Sequence, residues 1–279
     1  MILLADGGSS KVEWSLISNG RLVKQVYTVG VNPFLRDKEN IAEIIQKELR
    51  PPMREFSIDS VRFYGAGCTP EKKDIIRKAI EDSINTQDIG VESDLLGAAR
   101  GLCQQQKGIA CIIGTGSNSC YYDGENIVKN VPSLGFILGD EGSGSVLGRL
   151  FIGACFKNQL PDRIRERFLD EFNLTHPDIL NKVYKEPAPN RFLASFAPFI
   201  KENINDKYVH TLVLNSFKDF ITKNIMQYDY QNTPIYFTGS VAYHFRDVLD
   251  KALDSFNLRA ETVSASPMNG LIEYYSKKQ

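Results

Sequence analysis

Hydrophobic and polar positions in the first hundred residues alternate between the period of strands and the period of helices. Apolar runs bounded by turn residues predict strands over residues 2–5, 12–17, 22–29, 61–64 and 89–91. Apolar residues that recur three and four positions apart predict helices over residues 40–49, 70–84 and 95–105. A hairpin turn is expected at residues 18–20, and Pro70 suits the start of its helix.

The opening pattern then recurs further along the chain. Residues 109–113, 119–122 and 127–131 are predicted to form three more strands, with a glycine turn at 114–118. The segment LVKQV at 22–26 aligns with IVKNV at 127–131, and Gly30 then aligns with Gly135. Because the order and the spacing are both shared, the sequence predicts a duplicated unit of three strands.

The remainder of the chain is predicted to be mainly helical. A helix rich in small residues is expected after Gly142, followed by helical sequence from 162 to 226 with one interruption at Pro187 and Pro189. Residues 235–237 are predicted as a strand, and residues 269–277 as a terminal helix. Strands that alternate with helices favour a layered α/β architecture.

Length and charge restrict the class of protein. The 279 residues suffice for two domains of ordinary size. Lys and Arg total 33 against 34 Asp and Glu, without a basic cluster, so no nucleic-acid partner is expected. No apolar run approaches the ~18 residues of a membrane helix. An acid and two glycines follow the start too closely for a signal peptide. A cytoplasmic protein without a membrane partner is therefore expected.

Cysteine and histidine offer no metal-ligand pattern. The five cysteines lack any C-x-x-C pair, and the three histidines are scattered. Cysteines in apolar stretches are usually small buried hydrophobic residues. These observations indicate reduced thiols and no structural metal.

The first glycine turn, DGGSSK at residues 6–11, combines a carboxylate, hydroxyls and a cation. Glycine lets backbone N–H groups come close to phosphate oxygens, because no Cβ intervenes. Asp6 could hold Mg²⁺ through water, the Ser10 hydroxyl could meet a phosphate oxygen, and Lys11 could add positive charge. The alternative is an ordinary hairpin turn, in which Asp-Gly is favoured for geometry alone. Neither a P-loop nor the protein-kinase motifs occur in the chain.

The second glycine turn, GTGSN at residues 114–118, would be a common loop sequence by itself. It occupies the matching place in the duplicated unit. That correspondence favours a pair of phosphate-binding turns over two unrelated loops.

Four motifs in a fixed order carry a resemblance to a known family. They are DGGSSK at 6–11, SDLLGA at 93–98, GTGSN at 114–118 and GDEGS at 139–143. In these motifs the chain resembles the BadF/BadG/BcrA/BcrD-type ATPases of the actin, hexokinase and Hsp70-like superfamily. It is most similar to their N-acetylglucosamine kinase-like branch. The likeness spans essentially the whole chain.

The resemblance implies an α/β fold of two duplicated actin-like (ribonuclease H-like) domains with a nucleotide and sugar cleft between them. The first domain is expected at residues 1–105, joined by a C-terminal helix at 266–279. The second is expected at 106–265 with a helical insertion.

The resemblance also implies the activity. The protein is expected to be an ATP-dependent kinase that phosphorylates an amino sugar, with the 6-hydroxyl of N-acetylglucosamine as the favoured acceptor. ATP and Mg²⁺ are the implied cofactors, and a small-molecule sugar is the implied partner. A homodimer is considered because dimers are the commonest assemblies of soluble oligomeric proteins. The alternatives are an N-acetylmuramic acid or glucosamine kinase, an activator ATPase of a 2-hydroxyacyl-CoA dehydratase, and a catalytically silent sugar-binding regulator. The acids Asp6, Asp94 and Asp140 together argue against the silent regulator.

For the nucleotide, the resemblance implies that the first turn binds the β- and γ-phosphates and magnesium, with Asp6 as the metal-facing acid. It implies that the second turn shares phosphate contact with sugar contact, and that residues 238–241 contact adenosine. The implied nucleotide-binding residues are Gly7, Gly8, Ser9, Ser10, Lys11, Gly114, Thr115, Gly116, Gly239 and Ser240.

For the sugar, Asp94 is expected to take the proton from the acceptor hydroxyl as general base. Its alternative role is that of a helix N-cap. The other implied sugar-contacting residues are Asn32, Thr115, Asn118, Asp140 and Glu141. Three of these also have ordinary structural interpretations: a turn residue before proline at Asn32, a cap at Asp140 and a helix start at Glu141.

Overall fold

Two five-stranded sheets form the framework of the chain. The computed structural model describes residues 1–8 and 10–277, so the predicted phosphate contact Ser9 lies outside the described residues. The chain divides into two compact units. The first comprises Met1–Ala110, Tyr122–Val128 and Ser266–Gln279, and the second comprises Cys111–Tyr121 and Lys129–Ala265. The division predicted from the sequence, 1–105 with 266–279 against 106–265, stays a prediction about the domains.

The first sheet has the order β3-β2-β1-β4-β5. β1 pairs antiparallel with β2 and parallel with β4, β2 pairs antiparallel with β3, and β4 pairs parallel with β5. The strands are β1 (Ile2–Gly7), β2 (Lys11–Ser18), β3 (Arg21–Val29), β4 (Ser60–Gly65) and β5 (Asp88–Ser93). The helices that accompany them are α1 (Lys38–Ile44), which continues into a π-helical turn at Ile45–Leu49, then α2 (Arg50–Met53), α3 (Lys73–Glu81) and α4 (Asp94–Cys103).

The second sheet has the order β10-β9-β6-β7-β8. Its strands are β6 (Gly108–Ile113), β7 (Ser117–Tyr122), β8 (Ile127–Val131), β9 (Ile235–Thr238) and β10 (Ala260–Ser264). The helices of this half are α5 (Gly135–Leu138), α6 (Gly144–Phe156), α7 (Asp162–Phe172), α8 (His176–Tyr184), α9 (Pro189–Ala194), α10 (Ala197–Glu202), α11 (Lys207–Lys223), a 3₁₀ turn at Ile225–Gln227, α12 (Ser240–His244) and α13 (Arg246–Asp254).

The duplicated α/β fold predicted from the sequence is confirmed by the strand order. Read from the opposite edge, the second sheet runs β8-β7-β6-β9-β10, which repeats the first sheet strand for strand. The hairpins β2–β3 and β7–β8 therefore occupy matching places, as the alignment of residues 22–26 with 127–131 predicts. Within the described residues no helix is long and apolar enough to span a membrane.

The last helix, α14 (Met268–Ser276), packs on the first sheet and on α4. The two helices cross where glycine faces glycine, since a Cβ on Gly270 would lie only 1.9 Å from the carbonyl oxygen of Gly101. Met268 and Leu271 are buried with Leu4 of β1. Because successive side chains of a strand point to opposite faces, Asp6 lies on the same face as Leu4.

The opposite face of β1 is buried in the main core of the first unit. Leu3 and Ala5 pack there with Trp14 of β2, whose indole N–H donates to the Thr28 hydroxyl at 3.0 Å. β1 is therefore apolar on both faces until it reaches Asp6, the first acid of the chain.

Several boundaries differ from those predicted. The helix expected at 70–84 is α3, which begins at Lys73, because the amides of Lys72 and Lys73 bond to the Thr69 carbonyl in a preceding turn. The segment 162–226 contains the five helices α7 to α11, so the single interruption predicted there is wrong. For example, Asn173 ends α7 in the left-handed region, and the Thr175–Asp178 capping box starts α8.

Among the elements that were not predicted are β10 and α5. β10 has only Val263 buried, so it lacks the apolar run that indicates a strand. α5 is a single turn of four residues, too short to show a helical period.

The glycine crossing of α4 and α14 leads to a stability prediction. Gly270→Ala should lower the free energy of unfolding by about 1–3 kcal/mol, because the added methyl would overlap the Gly101 carbonyl. Gly153→Ala in α6 is the control, since a Cβ there meets nothing within 4 Å, and it should stabilise by about 0.5–1 kcal/mol. Urea unfolding of both variants measures the difference. Equal stability of the two variants would contradict this account of the crossing.

Candidate active site

In the first unit, acidic side chains gather around the end of β1. Asp6 pairs with Glu13 of β2 and with Tyr64 of β4 in the register of the sheet, so all three lie on one face. Asp6 and Gly7 are the last residues of β1, so the turn starts two residues later than predicted. A Cβ on Gly7 would lie 2.7 Å from the Phe63 ring, so glycine is required where β1 meets β4.

The turn after β1 is closed by backbone contacts. The Gly8 amide donates to the Lys11 carbonyl at 2.9 Å, and the Gly30 amide donates to the Ser10 carbonyl at 3.0 Å. Gly8 and Ser10 are exposed. The Lys11 ammonium lies over the Tyr27 ring at 4.9 Å from its centroid. The structure thus brings the exposed atoms of the first turn beside Asp6.

Asp94 is the first residue of α4 and does not cap that helix. Ser93 is the N-cap, and its hydroxyl accepts from the Leu96 amide at 3.2 Å. One Asp94 oxygen accepts from the Leu95 amide at 2.9 Å. The N-cap interpretation of Asp94 is therefore wrong, because its neighbour fills that role. α4 sits close to β4, since a Cβ on Gly97 would lie 2.7 Å from Tyr64.

Burial and like charge perturb these carboxyls. Burial, then Asp94, then Glu13 raise the pKa of Asp6 to about 7, while Lys11 and a hydrogen bond from the Ser266 hydroxyl act in the opposite direction. Burial also raises the pKa of Asp94, against the hydrogen bond from the Leu95 amide. The acids outnumber the cation beside them, which is the environment that a bound divalent cation relieves. Carboxylates are the ligands that Mg²⁺ prefers, so the residues present fit Mg²⁺.

Asn32 lies in a loop of the first unit that it organises itself. Its side-chain oxygen accepts from the Phe34 amide at 2.9 Å, and its carbonyl accepts from the Leu35 and Arg36 amides. Gly67, with φ +80°, passes so close that a Cβ there would lie 2.5 Å from the Asn32 side-chain oxygen. Asn32 therefore has the turn role that the sequence offered as an alternative, and its contact with a sugar stays a prediction.

In the second unit, the second glycine turn and the start of β7 contact the first residues of α6 and the loop before it. The Gly144 amide donates to the Gly114 carbonyl at 2.8 Å, and the Ser145 amide donates to the Thr115 carbonyl at 3.1 Å. The Ser117 hydroxyl donates to the Glu141 carbonyl at 2.9 Å. The motifs at 114–118 and 139–143 therefore form one structure, although only 114–116 is a turn and Ser117 already belongs to β7.

The segment 238–241, predicted to contact adenosine, packs against the second glycine turn. Gly239 has φ +115°, and a Cβ there would lie 2.4 Å from the Ile113 carbonyl oxygen and 3.2 Å from the Gly114 amide nitrogen. Only glycine combines this backbone conformation with this approach. Ser240, the next residue, begins α12. The structure thus brings together the predicted nucleotide residues of the second half.

The Asp140 side chain lies against Gly116 of the second glycine turn. Its backbone is in the left-handed region, with φ +52°. Its Oδ1 accepts from the Ser133 hydroxyl at 3.0 Å, and the Ser117 amide also donates to its carboxylate. A Cβ on Gly116 would lie 2.9 Å from its Oδ2. Burial is the main cause that raises the pKa of Asp140. The cap interpretation of Asp140 is wrong, because Ser143 is the N-cap of α6.

Glu141 also lies before the helix rather than in its first turn. Its Oε1 lies 3.2 Å from the Lys223 ammonium, and its Oε2 accepts from the Asn224 amide at a long 3.5 Å. Lys223 also lies 3.6 Å from Asp219. Sequence reasoning missed Ser133, Lys223 and Asn224, because no motif marks them. Only the fold brings Ser133 beside Asp140, and Lys223 and Asn224 beside Glu141.

Two cavities flank the second turn. A cavity of about 290 Å³ is bordered by Ser117, Ser133, Asp140, Glu141, Lys223 and Asn224, with Leu134 and Leu138 as apolar neighbours. A cavity of about 510 Å³ is bordered by Gly114, Thr115, Ser240, Val241, Lys201 and the apolar residues Ala194, Ala197, Pro198 and Phe245. The larger volume lies within the range of small-molecule sites, and the smaller lies at its lower limit.

Asn118 lies in neither of these two cavities. It is on β7, where its side-chain oxygen accepts from the Ser119 amide at 2.9 Å and from the Asn130 side chain at 3.0 Å. The geometry therefore favours Asp140 and Glu141 over Asn118 as polar groups of the smaller cavity.

Comparisons with known proteins agree with this geometry. No family model matches the chain. A crystal structure of a proposed N-acetylglucosamine kinase from Porphyromonas gingivalis is 46% identical, covers 99% of both chains and superposes with a TM-score of 0.97. A second proposed N-acetylglucosamine kinase, from Chromobacterium violaceum, shares the fold at 17% identity, covers 98% of both chains and has a TM-score of 0.74. The N-acetylmuramic acid/N-acetylglucosamine kinase of Clostridium acetobutylicum is 25% identical over 237 residues, 80% of this chain and 73% of that one.

The carboxyl cluster of the first unit leads to a prediction about pH. Asp6 has a pKa of 3.8 in the unfolded chain and about 7 in the folded one. Protonation of Asp6 therefore contributes its full stabilisation of the fold below pH 3.8, and this contribution is lost as the pH rises through 7. In buffer with EDTA at pH 8, Asp6→Asn should be more stable than the natural protein by roughly 1–3 kcal/mol, and the gain should vanish at low pH.

Urea unfolding between pH 4 and pH 8 measures this difference. Asp170→Asn, on the exposed side of α7, is the control and should show no such pH-dependent gain. A destabilised Asp6→Asn protein at pH 8 would contradict the account of the cluster.

Proposed function

Because the chain belongs to the BadF/BadG/BcrA/BcrD-type family of actin-like ATPases and kinases, we propose that it is an ATP-dependent amino-sugar kinase. It transfers the γ-phosphoryl group of ATP to the 6-hydroxyl of N-acetylglucosamine. The observation that carries the proposal is the backbone at residues 114–117, which borders an apolar cavity through Gly114 and Thr115 and an acidic one through Ser117 at the start of β7. One short segment of backbone can thus contact both a nucleotide and a sugar.

The larger cavity of the second unit has the chemistry of a nucleotide site. Val241 and Phe245 supply apolar surface for a purine. Gly114 lets the backbone approach phosphates, and Thr115 and Ser240 add hydroxyls to the same cavity. Gly116 and Gly239 pack against Asp140 and Ile113, and their contact with the nucleotide stays a prediction.

The first unit supplies the groups for phosphoryl transfer. Asp6 would hold Mg²⁺ with the β- and γ-phosphates, and the backbone of Gly7 and Gly8, the Ser10 hydroxyl and Lys11 would contact phosphate oxygens. Mg²⁺, when bound, neutralises charge that develops on the phosphate oxygens. Ser9 belongs to the same predicted turn.

Asp94 is the proposed catalytic base. Its carboxylate accepts the proton of the sugar 6-hydroxyl, the hydroxyl oxygen forms a bond to the γ-phosphorus, and the bond from that phosphorus to the bridging oxygen breaks to release ADP. Burial raises its pKa, which brings it closer to that of a proton acceptor at neutral pH. Ser93 caps α4, so the Asp94 carboxylate is available for this role.

The smaller cavity is the proposed sugar site. Asp140 and Glu141 would accept hydrogen bonds from sugar hydroxyls or from the acetamide N–H, while Leu134 and Leu138 offer an apolar wall to the acetyl methyl. Asn32, Thr115 and Asn118 stay predicted contacts of the sugar. A cytoplasmic location, a homodimer and the lack of nucleic-acid or membrane partners also stay predictions.

Charge in the smaller cavity favours a neutral sugar over N-acetylmuramic acid. Asp140 and Glu141 outnumber Lys223 among the residues that border it. Lys223 already lies 3.2 Å from Glu141, and it lies 3.6 Å from Asp219 outside the cavity. The carboxylate of a lactyl ether would meet net negative charge in the cavity. The alternative of an activator ATPase needs cysteines at the surface to share a metal cluster, and all five cysteines are buried.

The base role predicts a specific defect. Asp94→Asn should keep nucleotide and sugar binding and lower kcat by at least ~10²-fold, the scale of a lost general base. Asp162→Asn is the matched control, since Asp162 is likewise the first residue of its helix, and it should turn over normally. Steady-state kinetics with ATP and N-acetylglucosamine measure both, and near-normal turnover by Asp94→Asn would remove Asp94 from this role.

The acidic cavity predicts an order of acceptors. N-acetylglucosamine should exceed glucose and glucosamine in kcat/KM, because a site that pairs with the acetamide is left with unpaired polar groups by the other sugars. It should also exceed N-acetylmuramic acid. Glu141→Gln should reduce the difference in kcat/KM between N-acetylglucosamine and N-acetylmuramic acid, because it removes one negative charge and one of the two acids that pair with Lys223. A coupled assay of ADP release with each sugar measures the order, and equal kcat/KM for glucose and N-acetylglucosamine would refute the acetamide site.

A further inference from the structure

Glu13 is a buried acid that no motif and no step of the proposed reaction uses. It lies opposite Asp6 on the neighbouring strand and is only 8% exposed. Its two oxygens are satisfied by neutral groups: Oε1 accepts from the Gln25 side chain at 2.7 Å, and Oε2 accepts from the Ser266 hydroxyl at 3.0 Å. A buried carboxylate costs stability unless it is well paired, so this arrangement calls for a function.

Ser266 joins Glu13 to Asp6. The Ser266 hydroxyl donates to Glu13 Oε2 at 3.0 Å, and it also hydrogen-bonds the Asp6 carboxylate. Because a hydroxyl carries a single proton, the two acids share this donor. The hydroxyl oxygen accepts from the Met268 amide at 3.2 Å. The side chain that orients Asp6 therefore comes from the far end of the chain.

The position of Ser266 is set by α14, which it precedes by two residues. α14 is seated on α4 by the glycine crossing, and the Gln104 side chain donates to the carbonyls of Gly101 and Gly270 at 2.9 Å each. α4 begins with Asp94. One helix crossing thus sets the placement of both Ser266 and the helix that carries Asp94.

We propose that Glu13 and Ser266 are positioning residues that hold the Asp6 carboxylate in the orientation that receives the magnesium of the nucleotide. The proposal rests on the proposed function, in which Asp6 faces Mg²⁺. Groups that orient a metal-binding carboxylate typically change metal affinity by ~10–100-fold when they are lost. Removal of the Ser266 hydroxyl takes away the donor that Asp6 and Glu13 share, and it leaves the Gln25 side chain as the donor to Glu13.

The test is nucleotide binding with and without the metal, measured by isothermal titration calorimetry. Ser266→Ala should weaken the binding of ADP in the presence of Mg²⁺ by ~10–100-fold and leave the binding of ADP in EDTA unchanged. Ser266→Thr keeps the hydroxyl and should restore most of the Mg²⁺-dependent affinity. Glu13→Gln has the same shape as glutamate and should weaken Mg²⁺-dependent binding in the same direction.

Ser276→Ala is the matched control. Ser276 lies in the last turn of α14, and its hydroxyl donates to the carbonyls of Gly20 and Ile272. It anchors the same helix without touching the acids, so its loss should leave the Mg²⁺ dependence unchanged. The proposal is overturned if Ser266→Ala and Glu13→Gln both keep the natural Mg²⁺ dependence, or if Ser276→Ala changes it equally. A protein that binds Mg²⁺ and ADP in this way but phosphorylates no sugar would refute the proposed function alone.

Discussion

The burial of neighbouring carboxyl groups at the end of β1 is the constraint on which the site of the first unit depends. Burial first, and then the nearby charges of Asp94 and Glu13, raise the pKa of Asp6 to about 7. The sheet register forces Glu13 beside Asp6, and the placement of α4 adds Asp94. Such an arrangement costs stability in the absence of a cation and gives affinity in its presence. The packing of α14 on α4 places the Ser266 hydroxyl where it bonds to Glu13 and Asp6.

The second unit meets a different constraint, the close approach of backbone to backbone. Gly116 lies under Asp140 and Gly239 lies against Ile113, at distances that exclude a Cβ. These contacts bring the segments around Asp140 and Gly239 against the second glycine turn at 114–116. They leave an apolar cavity and an acidic cavity beside it. The acidic cavity contains Asp140 and Glu141, so both units present carboxylates beside a glycine turn.

Sequence reasoning could predict what depends on local pattern. The duplicated β-β-β unit is recognised from the recurrence of its pattern, and Asp6, Gly114 and Gly239 are recognised from their glycine motifs. It could not tell whether Asp94 or Ser93 caps α4, since both residue types suit the position. Glu13, Ser266 and Lys223 were missed for another reason. Their partners are set by strand register and helix packing across long stretches of sequence, and no short motif records such contacts.

The central claim, that the chain is a kinase of an amino sugar, is tested most directly by identifying the product. Purified protein is incubated with MgATP and N-acetylglucosamine, and the reaction is followed by ³¹P nuclear magnetic resonance. The account predicts one phosphomonoester for each ADP formed, with the phosphorus coupled to the two hydrogens on carbon 6. Formation of ADP and inorganic phosphate without a sugar phosphate would contradict it.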